Sequence, residues 1–291
     1  MLIKTSISLL ILLILVNCSN THDTNKKSVQ RIISLAPNIT EMIYALGEQD
    51  KLIAVTDYCN FPEAAKKKEK IGGFLNPNLE KMITLKPDLL IGLQSHSELA
   101  QKLEGQNLRT ILLPDNTVDE IFSAIDSLGY LLNAPDKSSQ LLQSIKDSMT
   151  VYRNRAELLP VNGLKAMLVL GRDPGTTRNI GVIGSHNYID SLWTLLGCQN
   201  VFSKIPMKFS QVGREAIIIS DPDLIIEFKT GGNMTADDKK RNRMEWSAFN
   251  QIKAVRNKNI FVISGVYALI PGPRIYMLMR DYLNILEQYS N

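Results

Sequence analysis

Three histidines, three cysteines and two tryptophans in 291 residues limit the chemistry this chain can perform. A zinc site is normally assembled from several histidines, cysteines and carboxylates. Here His22 falls in a polar N-terminal stretch, and His96 and His186 lie in different halves of the chain. Each is expected to be a lone surface side chain. No G-x-x-x-x-G-K-[ST] phosphate loop is present, and Gly181-Val-Ile-Gly184 is too sparse for a dinucleotide fingerprint. The charge balance, 33 basic against 29 acidic residues, is close to neutral and gives no sign of a nucleic-acid partner. No apolar run reaches the roughly 20 residues that a membrane-spanning helix needs.

The longest such run, residues 6–16, follows Lys4 and is apolar apart from its first residue, Ser6, and Ser8. It has the length of a signal-peptide core and ends in Leu15-Val16-Asn17-Cys18, which resembles a bacterial lipobox apart from the bulky Asn17. The expectation is a signal peptide over 1–17, lipidation of Cys18 and a polar tether over 18–30. An ordinary signal peptide with a chance cysteine is the other reading. The remaining thiols, Cys59 and Cys198, fall in different halves; two buried free thiols are expected, and a disulfide is the alternative.

The chain then repeats itself. Leu85-Lys-Pro-Asp-Leu-Leu-Ile-Gly92 returns as Ser220-Asp-Pro-Asp-Leu-Ile-Ile-Glu227, an offset of 135 residues. The same offset pairs Ile33-Ser-Leu-Ala36 with Leu168-Val-Leu-Gly171. Thr110-Ile-Leu-Leu113 matches Ile260-Phe-Val-Ile263 at 150, which a polar surface insertion over 229–243 would explain. Such short apolar runs bounded by Pro, Gly or Asp read as buried parallel strands. Helical patterns separate them: one opening at Asn38-Ile-Thr-Glu41, with Asn38 as cap, and others over 79–85, 118–132, 190–196 and 275–288. Alternation of this kind predicts an α/β fold of two similar lobes, each with a parallel sheet wrapped by helices.

Residues 136–159 contain no Gly or Pro and carry Leu141, Leu142, Ile145, Met149, Tyr152 and Ala156 at helical spacing. A helix there, at 1.5 Å per residue, would run roughly 36 Å along both lobes. The predicted organisation is an N-terminal lobe over 31–135, a rigid connecting helix over 136–159 and a C-terminal lobe over 160–291, with a ligand cleft between the lobes.

Five stretches then point to a family: Arg31-Ile-Ile-Ser-Leu-Ala-Pro-Asn-Ile-Thr-Glu41, Thr56-Asp-Tyr-Cys-Asn-Phe-Pro62, Ile71-Gly-Gly-Phe-Leu-Asn-Pro-Asn-Leu-Glu-Lys81, Phe209-Ser-Gln-Val-Gly-Arg-Glu215 and Pro271-Gly-Pro-Arg274. In this order they resemble the class III periplasmic binding proteins of ABC importers, and Asp-Tyr-Cys-Asn-Phe-Pro with Pro-Gly-Pro-Arg most resembles the cobalamin branch. The resemblance implies a non-enzymatic lipoprotein outside the cytoplasm, working as a monomer. Its partners would be the permease dimer with ATPase subunits, a small-molecule ligand and, through the lipid, a membrane.

In parallel sheets ligands bind beyond the carboxyl ends of the strands. Those ends deliver Pro37, Tyr58, Gln94, Arg172 and Tyr267, while Phe74 and Phe209 lie on loops the family places in the cleft. The lobe core and surface salt bridges are the alternatives for these aromatics and for Arg172 and Arg274. The family also implies one docking carboxylate on each lobe, carried over to Glu41 and Glu215; both are read as first-turn residues exposed at a lobe's end, where helix capping is the alternative role. No cofactor of its own is expected: a metal would arrive as part of the ligand, cobalamin or another chelate, and His186 is the histidine that would reach it. Both tryptophans, Trp193 and Trp246, fall outside the motifs that line the cleft in cobalamin binders. A ferric siderophore or haem is therefore the alternative ligand, and a chelatase-like enzyme the alternative class.

Overall fold

Strands form at each of the apolar runs, the central ones buried on both faces and the outer ones, over 110–113 and 260–264, half-buried. The computed structural model describes residues 29–106, 108–230 and 234–290, so the signal peptide, Cys18 and nearly all of the tether lie outside the described residues. In the first lobe β1 (Ile32–Ser34), β2 (Leu52–Val55), β3 (Glu69–Lys70), β4 (Leu89–Leu93) and β5 (Thr110–Leu113) form one sheet, ordered β3-β2-β1-β4-β5. Every junction is parallel. All residues of β1 and β4 are buried, as central strands covered by helices on both faces must be. The helices are α1 (Pro37–Ala45), α2 (Leu79–Thr84), α3 (Ser97–Glu104) and α4 (Val118–Leu131).

After α5 (Pro135–Ala156), the second lobe contains β6 (Lys165–Gly171), β7 (Ile180–Ile183), β8 (Gln199–Asn200), β9 (Phe209–Val212), β10 (Leu224–Lys229) and β11 (Ile260–Ser264). Its sheet runs β11-β10-β6-β7-β9, with β8 also on β6. The second lobe departs from an all-parallel sheet, because β7 is antiparallel to both β6 and β9. The cause is the short connection over 172–179: a parallel crossover needs a dozen or more residues. Its helices are α6 (Tyr188–Leu195), α7 (Arg214–Ser220), α8 (Ala236–Glu245), α9 (Lys253–Arg256) and α10 (Ile275–Ser290). α8 occupies the insertion that shifts the repeat from 135 to 150. Among the described residues no helix is long and apolar enough to cross a membrane.

The repeat has a physical meaning at its Pro-Asp pairs. Asp88 accepts the backbone N–H groups of Gln30 and Arg31, both at 3.0 Å, at the head of β1. Asp223 accepts that of Lys165 at 3.0 Å, at the head of β6. Lys86 and Asp221, each just before the proline, share a left-handed backbone with φ of 47° and 34°. One turn device thus starts the central strand in both lobes.

α5 spans 22 residues, about 33 Å of helix, and packs on α4 of the first lobe and α10 of the second. Its buried Ile145, Met149 and Ala156 belong to an apolar cluster that also contains Leu128 and Leu283, so one core passes through both lobes. Two smaller clusters cover the other sheet faces, one around Met167 and Trp246, the other around Ile33 and Leu90. Cys59 and Cys198 are buried free thiols.

α4 and α5 approach each other closely at Gly129. A Cβ there would lie 2.2 Å from Ser138 Oγ and 2.4 Å from Ser138 Cβ. Alanine normally favours a helix interior over glycine by about 1 kcal/mol, but this clash involves an atom fixed to the backbone of α5. Gly129→Ala is expected to lose about 1–3 kcal/mol in urea denaturation; a gain would mean that α5 shifts freely on α4.

Candidate functional site

Residues just beyond the carboxyl ends of strands in both sheets line one open cavity of about 850 Å3. The first lobe contributes Pro37 and Asn38 at the start of α1, Tyr58 and Asn60 after β2, Phe74 and Leu75 after β3, and Asp115 after β5. The second contributes Thr230 after β10 and Val266, Leu269, Ile270 and Pro271 after β11. Tyr58 is 62 % and Leu75 65 % exposed, so large apolar side chains stand in solvent at the cleft. Beside it lies a smaller cavity of about 220 Å3, which shares Asp115, Leu269 and Pro271 and adds Lys208 and Phe209.

Four polar pairs tie the lobes together around these cavities. At the base, Arg274 donates to both oxygens of Glu41, from Nε at 2.8 Å and Nη2 at 2.5 Å. Its guanidinium lies 3.9 Å from the centre of the Phe61 ring and 5.9 Å from that of Tyr267. Next to this pair Asn38 Nδ2 donates to the Pro271 carbonyl at 3.2 Å. Lys208 reaches Asp115 at 3.2 Å, and His186 Nε2 stands 3.5 Å from Glu120. Burial pushes the Glu41 carboxyl up against the hydrogen bond and charge of Arg274, which favour ionisation.

Pro37, Tyr58 and Phe74 are thus gathered into the main cavity, and Phe209 into the smaller one. Gln94 is exposed just beyond β4 and is not part of either lining. Tyr267 does not face the cleft: it packs on the core and donates its hydroxyl to Asp281. Burial, with that carboxylate, pushes its phenol up to about 12. Arg172 is also removed from the ligand set. Its side chain is 1 % exposed and held by Glu227 at 3.1 Å and Glu245 at 2.6 Å, against the Trp246 ring. Burial would raise the Glu227 carboxyl, but Lys229, Asn242 and Arg172 bring it below its ordinary value. This buried network secures α8 to β6 and β10.

The docking carboxylates separate. Glu215 is exposed in the first turn of α7. Glu41 is 4 % exposed, and because α1 begins at Pro37 with Ala36 as its cap, it lies beyond the first turn. The reading of Glu41 as an exposed docking group is therefore corrected. Asn38, the expected cap, is inside the helix. The carboxylate equivalent to Glu215 is Glu80, seven residues before Pro87 as Glu215 is before Pro222, exposed in the first turn of α2. The offset of 135 already marked it. The same rule of strand ends, applied to β5 and fully to β11, would have found Asp115, Leu269 and Pro271. His96 is buried, not a surface residue. Among the described residues no group of three or more His, Cys, Asp or Glu could hold a metal ion.

Residues 32–267 match the family described as Periplasmic binding protein, and the chain belongs to it: the class III substrate-binding proteins of ABC transporters for cobalamin, siderophores and haem. Similar proteins include an uncharacterised ABC transporter substrate-binding lipoprotein of Bacillus subtilis, 27 % identical over 89 % of this chain and 80 % of that one. A vitamin B12-binding protein of Pectobacterium carotovorum is 29 % identical over 68 % of this chain and 70 % of its own length. Among solved structures, the periplasmic vitamin B12 binding protein of Vibrio cholerae superposes with a TM-score of 0.75 at 25 % identity, covering 90 % of this chain and 98 % of that one.

The Glu41–Arg274 pair gives a stability test. Arg274→Met leaves a buried carboxylate unpaired and is expected to cost about 3–5 kcal/mol in denaturation. Glu41→Gln should cost less, because Arg274 keeps 17 % access to water and its aromatic neighbour. Glu41→Leu combined with Arg274→Met should recover most of the loss; a double variant no better than Arg274→Met would show that the charges are not coupled.

Proposed function

We propose that this protein captures a corrinoid in the cleft between its lobes and delivers it to an ABC permease outside the cytoplasm, tethered to a membrane through lipidated Cys18. The observation that carries this reading is the shape and chemistry of the main cavity. A corrin is a broad, flat, largely apolar disc fringed with amides. An open slot of about 850 Å3 walled by Tyr58, Phe74, Leu75 and Val266 suits the disc, and Asn38, Asn60, Asn76 and Thr230 offer partners for the fringe. The relatives named as vitamin B12-binding proteins support the same ligand. Because α5 packs on both lobes and Glu41–Arg274 joins them at the base, the slot keeps its width, as a rigid disc requires.

Cyanocobalamin is expected to bind with sub-micromolar affinity, about −8 kcal/mol or better, in calorimetry. Tyr58→Ala and Phe74→Ala should each weaken it by about 1–3 kcal/mol through lost contact area. Saturable binding of haem or a ferric siderophore, with no response to cyanocobalamin, would move the assignment to those ligands.

Delivery is proposed to use Glu80 and Glu215, exposed first-turn carboxylates of α2 and α7, one on each lobe. A two-subunit permease offers each lobe one subunit, and charge pairs partly desolvated on contact would set orientation. Glu80→Arg and Glu215→Arg should each reduce uptake while leaving ligand affinity within about twofold, and together should abolish uptake. Normal uptake by both single variants at wild-type protein levels would withdraw the assignment.

A further inference from the structure

Behind the cleft lining, His96 is buried and engaged at both nitrogens of its ring. It ends the short helical turn after β4, is 2 % exposed, and uses both ring nitrogens on backbone groups. Nδ1 receives the N–H of Leu93 at 3.0 Å. Nε2 meets the carbonyl of Phe74 at 2.9 Å. A backbone N–H can only donate and a carbonyl can only accept, so Nδ1 must be bare and Nε2 must carry the proton. One tautomer of the neutral ring satisfies both contacts; the imidazolium satisfies one and sets N–H against N–H at the other. The ring also meets the Phe74 ring edge to face, with centroids 4.6 Å apart and an angle of 69°.

The segment it holds also packs on the core through the Phe74 ring. Residues 72–77 form a turn closed by a bridge between Gly72 and Pro77, anchored at its ends by Asp57 N–H to Gly72 and Asn78 N–H to Ile71. Phe74 stands between these anchors, next to exposed Leu75 and Asn76. The Phe74 carbonyl is fixed by His96, and His96 in turn is fixed to β4 through Leu93, itself part of the cleft lining.

We propose that neutral His96 is the positioning residue for the Phe74 wall of the ligand cleft, pinning the 72–77 turn to the end of β4. The proposal rests on the reading of this cleft as the ligand site. Burial holds the imidazole below its ordinary pKa, opposed by the Phe74 carbonyl and by the charge of Asp115. Asp115 is itself occupied by Lys208 at 3.2 Å. The ring is therefore neutral near pH 7, and the unfolded chain takes up a proton first as pH falls. The stabilising contribution is present above the ordinary histidine pKa and is lost on acidification through the depressed one. The pinned turn, and with it ligand affinity, should weaken on the acid side.

Hydrogen exchange of the 72–78 amides in the ligand-free full chain tests the positioning without reference to the ligand. His96→Leu should lower their protection by about tenfold, the loss of one buried hydrogen bond. His96→Gln, which keeps one acceptor and one donor, should retain it. With cyanocobalamin as probe, His96→Leu should bind about tenfold more weakly. The wild type should keep its affinity down to the ordinary histidine pKa of about 6.5 and lose it as pH falls further, whereas His96→Gln should hold a flat profile. His186→Gln serves as the control for the Glu120–His186 pair and should keep the wild-type profile. Unchanged protection in His96→Leu, or a wild-type pH profile in His96→Gln, would overturn the proposal. If His96→Leu does not fold, the paired profiles of wild type and His96→Gln still decide. Failure of the wild type to bind cyanocobalamin, with the exchange results as expected, would sink the corrinoid reading and support the positioning role.

Discussion

The separation of the two lobes is the constraint on which the site depends, and it is maintained from two sides. Behind the cleft, α5 lies against α4 and α10, and its buried Ile145, Met149 and Ala156 belong to a core that passes without a break from one lobe to the other. Sliding or opening the lobes would expose that apolar surface, at a cost of about 25 cal/mol per Å2. At the base of the cleft, Glu41 and Arg274 join α1 to the start of α10 through two charge-assisted hydrogen bonds, with Phe61 covering the guanidinium. A seam that must stay dry and a charge pair that must stay whole both favour one spacing. A protein built this way recognises its ligand mainly by what already lines the slot.

Electrostatics around the slot is divided by depth. The Arg172–Glu227 pair is buried, and Glu41 is buried beneath a partly covered Arg274, so these charges serve each other first. Asp115–Lys208 and Glu120–His186 retain partial exposure, and Asp115 borders both cavities. Those two pairs can exchange partners with water or ligand at small cost, because a partly exposed ion pair is worth little on its own. The polar groups left at the wall are mainly amides and backbone, suited to a neutral or amide-rimmed surface more than to a highly charged one.

The network around Glu227 has a separate consequence. Lys229, Asn242 and Trp246 converge on one carboxylate that is wholly buried at the end of β10. It fastens an insertion that is polar almost throughout and has little apolar surface of its own to hold it down. A charged cluster here takes the place of a hydrophobic anchor, and it draws in Arg172, which strand-end reasoning alone would have aimed at the ligand.

Much of the fold was legible in the chain. The 135-residue repeat, the apolar strand runs and the uninterrupted helical pattern after Pro135 are local signals, and strand and helix formation follow local periodicity. Tyr58 was legible from its place at a strand end, where a parallel sheet leaves its ligand site, whereas Phe74 came only from the family resemblance. What the chain could not reveal was the partner of each polar group. Glu41 and Arg274 are 233 residues apart, and only their meeting across the cleft turns an apparent exposed cap into a buried tie. His96 likewise acquires its role from the Phe74 carbonyl, and β7 its direction from how a short loop returns. Periodicity determined which segments fold and which ends they present; burial and pairing, which depend on distant segments packing together, determined which of those side chains remain free to act.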